Sequence, residues 1–586
     1  MIEKSPFNFF IRLGIPTLTQ LRAASRQFSK NERRIFLAAL ILLTCGVIGL
    51  LISINSKYSV TRPAHGGKWR EGIVGSPSLI NPLLAVSDAD RDLTALVYSG
   101  LMRPDGQGGL NPDLAENYEI SEDGLTYTFR LKENLRWHDG KKLDAEDVIF
   151  TIEAVKNPSL KSPIRANWEG IAAEAVDELT IKFTLTKPYA PFLENTTFGV
   201  LPKHIWSSIL PEQFTLSSFN YEPVGSGPYK IKTASKNSSG IITKYALAAF
   251  EKYAGGMPFI KTVEMKLYST ERALSDAYAN GEIDALAVAS PKNIADFQKK
   301  SSQIRALNLP RIFAVFFNQN RAPIFAEKSV RVALNQAADK KRIIDEVFGG
   351  FAEEIDSPIP PGFLDAEDDE NTMKTSGTET ASSTLKSAGW TIDPSTGFFV
   401  KKSKKDTKEL AFTLATANTP DLAATAELLK TMWQSLGAEV DIKLFEISDL
   451  NQQVIRPREY DALLFGEVAG RDPDPFAFWH SSQRNDPGLN IALYANSTVD
   501  RLLESARKTV DDKERKEKYL EFHKEILKDI PAIFLYSPSY LYAVPNSLKG
   551  FETENITIPS ERFARIHLWH LKTKKVLKFL AGELGW

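Results

Sequence analysis

The chain has 586 residues, 43% hydrophobic and 25% charged, a globular composition with length for about three or four domain-sized units. Its 72 basic and 73 acidic residues leave a net charge of −1, which gives no electrostatic reason to expect nucleic acid as a partner. The single cysteine, Cys45, excludes an intrachain disulfide and any zinc site built on paired cysteines.

Residues 1–34 form a basic segment, with Arg22, Arg26, Lys30, Arg33 and Arg34 ahead of an uncharged run from Ile35 to Ile54. A helix of that length spans about 30 Å, the thickness of a bilayer core. The basic flank predicts a cytoplasmic N-terminus and an extracytoplasmic remainder, periplasmic or on the cell surface. The run is longer than a signal-peptide core and ends without a small-x-small cleavage site, so residues 35–54 are expected to be an uncleaved transmembrane anchor. Leu42-Leu43-Thr44-Cys45-Gly46 faintly resembles a lipobox, but Thr44 suits it poorly and more apolar residues follow. Residues 55–71, with Ser, Thr, Pro and Gly, predict a tether.

Gly72 to Gly75 opens the globular part as a strand. Ser87-Asp88-Ala89-Asp90 can cap a helix carrying Leu93, Leu96 and Val97. Leu125 to Leu131 alternates as a strand, Trp137-His138-Asp139-Gly140 is a turn, and Asp144 caps a helix that ends before Pro158. With the strand at Leu179 to Leu185, these elements predict an α+β subdomain near 110–215. Pro223 to Ile231 is a Gly/Pro turn entering a strand; it lacks Gly-Lys-Ser/Thr, so a P-loop is excluded. Glu271 to Asn280 reads as a helix, Ile312 to Asn318 as a buried strand, and Ser329 to Val347 as one amphipathic helix. Asp365 to Thr380 is acidic and Ser/Thr-rich, a solvated loop. Thr419-Pro420 starts a helix that stops at Gly437.

The stretch that organises the chain is Tyr460 to His480. Ala462 to Phe465 is a buried strand bounded by Asp461 and Gly466. Glycines and two Asp-Pro pairs, Asp472-Pro473 and Asp474-Pro475, then predict an irregular loop suited to the mouth of a cleft. Two helices (Val499 to Val510, Asp512 to Asp529), an apolar paired strand (Pro531 to Val544) and a basic tail from His567 complete the chain. The seven histidines are scattered outside any nucleophile–base or metal-binding pattern, so neither catalysis nor a metal or other cofactor is expected.

Several stretches together resemble the solute-binding proteins of oligopeptide, dipeptide and nickel ABC importers, extracellular solute-binding family 5. They are Gly100 to Glu153 with its Leu-Ala-Glu, Trp-His-Asp-Gly and Asp-Val helix, Leu201-Pro202-Lys203-His204, and Gly225-Ser226-Gly227-Pro228-Tyr229. Phe317-Asn318 with Val330 to Leu334, and the Tyr460-Asp461 strand leading to Asp-Pro, are the others. The resemblance covers about Gly72 to Lys572. It implies a two-lobed α/β fold of the periplasmic-binding-protein type: lobe one over 72–310 and 530–572, lobe two over 311–529, and a tail from 573 to 586. The lobes would close on ligand by a hinge motion, as periplasmic binding proteins do in general. The resemblance also implies an extended oligopeptide ligand held through its backbone, and ABC permease and ATPase subunits as partners. The implied ligand-binding residues are Ser87, Asp88, Phe317, Asn318, Glu467, Val468, Ala469, Gly470, Arg471 and Asp472. Many relatives carry a tryptophan and an amine-pairing aspartate after this strand. Here the stretch has an extra residue and no tryptophan, so Glu467 and Asp472 are candidates for the amine and Arg471 for a carboxylate. A nickel chelate, opine or oligosaccharide ligand, or a tethered receptor with the same fold, are the alternatives.

Overall fold

The computed structural model describes residues 29–288, 294–297, 301–363, 377–403 and 407–577. It forms two compact units, Met1–Ala64 with Lys572–Trp586, and His65–Leu571.

In the first unit, helix α1 (Lys30–Tyr58) runs straight into strand β1 (Ser59–Ala64). Over Lys30–Leu50 it is long and apolar enough to cross a membrane, by length and composition, and its side chains there are unburied. β1 pairs antiparallel with the last strand, β15 (Lys572–Leu577). The expected tether at 55–71 is therefore corrected: it holds the end of α1, all of β1 and the start of the next strand at Lys68. The expected tail likewise begins as β15. Both were illegible locally because each strand exists only through a partner at the other end of the chain.

The larger unit contains two main sheets. One holds β2 (Lys68–Val74), β3 (Tyr229–Lys236), β4 (Ile242–Ala249), β5 (Thr262–Tyr268), β6 (Ala285–Ala287), β7 (Ser302–Leu307) and β14 (Tyr540–Pro545), in the order β7-β14-β6-β2-β5-β4-β3. The other holds β8 (Arg311–Phe317), β9 (Ala352–Glu354), β10 (Ala411–Ala417), β11 (Glu439–Phe445), β12 (Ala462–Val468) and β13 (Ala532–Pro538), in the order β9-β13-β8-β12-β10-β11. Each has its own apolar core, around Trp69, Phe129 and Trp569 in the first and Phe316, Trp433 and Trp479 in the second. The chain crosses between the sheets twice, at 308–310 and at Ser539, which defines two lobes. A four-stranded antiparallel sheet of Ala115–Ile120, Thr126–Leu131, Ile171–Ala175 and Thr180–Leu185 packs into the first lobe's core.

Helix α2 (Asp88–Val97) has a capping box between Ser87 and Asp90, and α3 (Ala145–Lys156) has one between Asp144 and Asp147. Ser329 to Val347 is not one helix. It is α4 (Lys328–Ala337) and α5 (Lys340–Phe348), because the Asp339 carboxylate accepts from Arg342 N and starts a new helix. In the acidic stretch 365–380, residues 365–376 lie outside the described residues, and Thr378 begins a helix.

The sequence motifs of lobe one meet in a single bonded cluster. His138 Nε2 lies 3.0 Å from Gly227 O, and Gly225 N donates to His138 Nδ1 at 3.3 Å. Asp139 meets His204 at 2.8 Å, Trp137 Nε1 donates to Asp147, and Asp147 accepts from Lys203 N. The glycines let this turn press against the end of α2, where a Cβ on Gly225 would sit 2.0 Å from Val97 O. Gly225→Ala is expected to lose about 3 kcal/mol, since backbone must move, which a urea titration would read as a lower midpoint. Burial holds the His138 imidazole down at about 4 against an ordinary 6.5. This group's contribution to stability is thus complete above pH 6.5 and disappears as the pH falls towards 4.

Candidate functional site

Strand direction locates the cleft. β2 and β6 are parallel, and β14 runs against β6, so Val74, Ala287 and Tyr540 lie at one edge of the first sheet. In the second sheet β12 runs against β8 and parallel to β10, which is parallel to β11. The ends of β10, β11 and β12 therefore share an edge with Arg311, where the chain has just crossed over. Carboxyl ends of strands from both lobes face the crossover, where ligands of open α/β sheets bind.

Lobe one's wall is a cavity of about 230 Å³ lined by Val74, Asp88, Asp92, Glu271, Tyr540 and Arg562, among others. Ser87 is committed to its cap, its Oγ accepting from Asp90 N at 3.1 Å. Asp88 is 69% exposed at its side chain and only loosely paired, 3.8 Å from Arg91. Below it the Arg562 guanidinium grips Asp92 at 2.5 and 2.8 Å and Glu71 at 3.1 Å. Tyr542 and Trp69 donate to the other Glu71 oxygen at 2.6 and 2.9 Å. All three charged groups are buried, and desolvation raises both carboxylates despite the arginine.

Lobe two's wall differs from expectation. Gly466 does not end the strand: Gly466, Glu467 and Val468 pair with Phe313, Ile312 and Arg311. A Cβ on Gly466 would be 2.7 Å from the Phe313 ring, so the glycine makes room for an aromatic neighbour. Glu467 points inward and is 4% exposed; burial pushes its carboxyl up to about 8, against a smaller opposing pull from the Trp479 indole. Val468 is 57% exposed at the cleft edge, and Ala469 N donates to Pro310 O at 2.9 Å.

The loop beyond touches lobe one directly. Arg471 N donates to Glu194 at 2.7 Å, and its guanidinium pairs with Glu561 at 2.6 Å, the Arg471 side chain being 8% exposed. Asp472 pairs with Arg515 at 3.1 Å. Asp474 accepts a forked pair from Arg507, whose guanidinium lies 4.0 Å over the Phe476 ring. Arg507 also lies 5.8 Å from the Tyr189 ring of lobe one. Recesses of about 590 and 450 Å³ on lobe one include Glu194 and Glu561 respectively.

The structure thus brings Val468, Ala469, Gly470, Arg471 and Asp472 together at the cleft, facing Glu194 and Glu561, and places Ser87 and Asp88 at lobe one's edge. It does not bring Phe317 and Asn318 there. Phe317 pairs with Ala462 at the opposite end of β8, is wholly buried and packs on Phe325. The Asn318 amide donates to Arg458 O, and its carbonyl accepts from Asn320 N and Arg321 N, a turn-forming role. Glu467 as an amine anchor is likewise replaced by a core carboxyl. Sequence reasoning missed Glu194, Glu561, Arg562 and Tyr540; no local pattern marks them, since each acts through a partner distant in the chain.

Two lobes, two crossovers and a cleft at their strand ends define a two-lobed binding protein. The comparisons make this specific: the family model for bacterial extracellular solute-binding proteins, family 5, matches residues 109–488, and the chain belongs to that family. It is 28% identical over 525 residues to the oligopeptide-binding protein AppA of Bacillus subtilis, covering 88% of this chain and 94% of that protein. The solved structure of that AppA in complex with a nonapeptide matches with a TM-score of 0.64 at 27% identity, covering 87% of this chain and 100% of that chain. The substrate-binding protein CtaP of Listeria monocytogenes matches at 0.72 and 27%, covering 86% and 99%. NikZ of Campylobacter jejuni in complex with Ni(L-His) matches at 0.64 and 28%, covering 86% and 99%.

Proposed function

We propose that this protein captures extended peptides between its lobes and delivers them to the permease and ATPase subunits of an ABC importer, by binding and release without a chemical step. The observation that supports this most is the convergence of strand carboxyl ends from both sheets on one cleft. A relative with this architecture is described holding a nonapeptide. Arg471 and Asp472 are already paired within the protein, and Glu467 is in the core. Recognition at this loop therefore rests on main-chain groups of Val468 to Gly470 other than the Ala469 amide, which Pro310 already holds, with Asp88 and Tyr540 on the other wall. Main-chain bonding is indifferent to side chains and suits varied peptides. Helix α1 anchors the protein in the cell membrane with its N-terminus cytoplasmic and the lobes outside, which keeps the binder near its permease at high effective concentration.

The test is a thermal-shift screen of the full chain in detergent, stripped of carried-over ligand, with peptides from dipeptides to nonapeptides. Ligand at 100 times its Kd is expected to stabilise by about 2.7 kcal/mol. A shift from many peptides of one length supports the proposal. No shift from any peptide, with one from nickel-histidine, would replace it by the second reading that the NikZ match favours. Release of the chain from membranes by alkaline carbonate would refute the anchor.

A further inference from the structure

The β1–β15 ribbon carries four cations, Arg62, Lys572, Lys574 and Lys575, and no acidic residue. Its register sets Arg62 directly opposite Lys574 and Ala64 opposite Lys572. Alternation along a strand puts Arg62, Lys572 and Lys574 on one face. Like charges directly opposed destabilise a strand pair, and a two-stranded ribbon is marginal to begin with. Among the described residues none of the four has a carboxylate partner, and the three lysines are exposed. Among the described residues nothing offsets this repulsion, and a surface of opposite charge would do so.

The ribbon's position says where. α1 continues without a break from its apolar stretch to Tyr58, and β1 starts at the next residue. Four helical residues beyond Ile54 add about 6 Å, which is about the depth of one headgroup layer. We infer that the β1–β15 ribbon is a docking surface for anionic phospholipid headgroups, its cations lying on the outer surface of the membrane that α1 crosses. This rests on the proposed anchor. The partner's chemistry follows from the uniform positive charge of the ribbon and its continuity with the apolar helix; attraction to such a surface falls off within a Debye length.

The experiment uses the full chain with Cys45→Ser, which frees the thiol chemistry, and Thr573→Cys, an exposed ribbon position, carrying a fluorophore. It is placed in nanodiscs of phosphatidylcholine alone or mixed with phosphatidylglycerol, with a headgroup-attached nitroxide quencher. Quenching is expected to be about twofold stronger in the anionic disc, and to fall to the neutral level in high salt. K572Q/K574Q/K575Q should quench equally in both discs, while the corresponding arginine variants keep the difference. Incorporation with equal quenching in both lipids, or a difference unchanged in the glutamine variant, overturns the ribbon proposal and leaves the anchor standing. A chain that enters neither disc overturns both.

Discussion

Arg562→Met is expected to destabilise lobe one by about 3–5 kcal/mol, the cost of breaking a buried ion group by removing one partner. The methionine fills similar volume, so the loss comes from Glu71 and Asp92, which would keep only the Tyr542 and Trp69 donors and α2's surroundings. Both carboxyls already stand above their ordinary range through burial, and without the guanidinium they rise further. A folded-state pKa above the unfolded value means that folding takes up protons, so the defect should deepen as pH rises from 5 to 8. Thermal melting of the full chain would show a drop of about 5 °C or more near neutral pH. Adding Glu71→Gln and Asp92→Asn to the same chain should restore most of it and flatten the pH dependence. A single variant that melts with the native protein would show that the buried triad contributes nothing.

Glu467→Gln is expected to act in the opposite direction and to stabilise the protein. The native carboxyl titrates near 8 when folded and near 4.5 when exposed. Between those values the folded protein holds a proton that the unfolded chain has released, and stability falls by up to about 1.4 kcal/mol per pH unit. From pH 6 to pH 8 the native chain should lose about 2 kcal/mol from this group alone. Glutamine occupies the same space without a charge to desolvate, and at pH 7 the gain should approach about 3 kcal/mol. Denaturant midpoints across this pH range decide the matter: native and variant curves that stay parallel would place the Glu467 charge outside the core.

What the sequence disclosed and what it concealed divide along physical lines. Caps are local, so Asp144 with Asp147 and Ser87 with Asp90 were legible from spacing. Two-faced burial left an apolar run that marked β8 and the start of β12. Gly466 misled because glycine answers two demands, positive φ and close approach, and only the structure shows the Phe313 ring that requires the second. Phe317 and Asn318 belong to a motif of the family, yet the motif marks a core strand and its turn rather than the cleft. Trp137-His138-Asp139-Gly140 and Gly225 to Tyr229 are alike in this: they carried the family likeness by bonding to each other. The ion pair of Arg471 with Glu561 and the hydrogen bond from the Arg471 amide to Glu194 lay beyond any local pattern, because their partners are separated by 90 and 277 positions.

The double crossover also governs the order in which a nascent chain can mature. Lobe two's strands, β8 to β13, are contiguous in sequence and can complete their sheet once that one stretch has emerged. Lobe one cannot. Its sheet lacks β14, the strand between β7 and β6, until almost the whole chain has been synthesised. Its acids Glu71 and Asp92 wait longer still, since Arg562 follows Asp92 by 470 residues. Domains commonly fold from the N-terminus as they are made, but here the first lobe begun is the last to close. A product truncated before Arg562 would carry two acids destined for burial without their counter-ion, so synthesis through Arg562 is itself a condition for a finished first lobe.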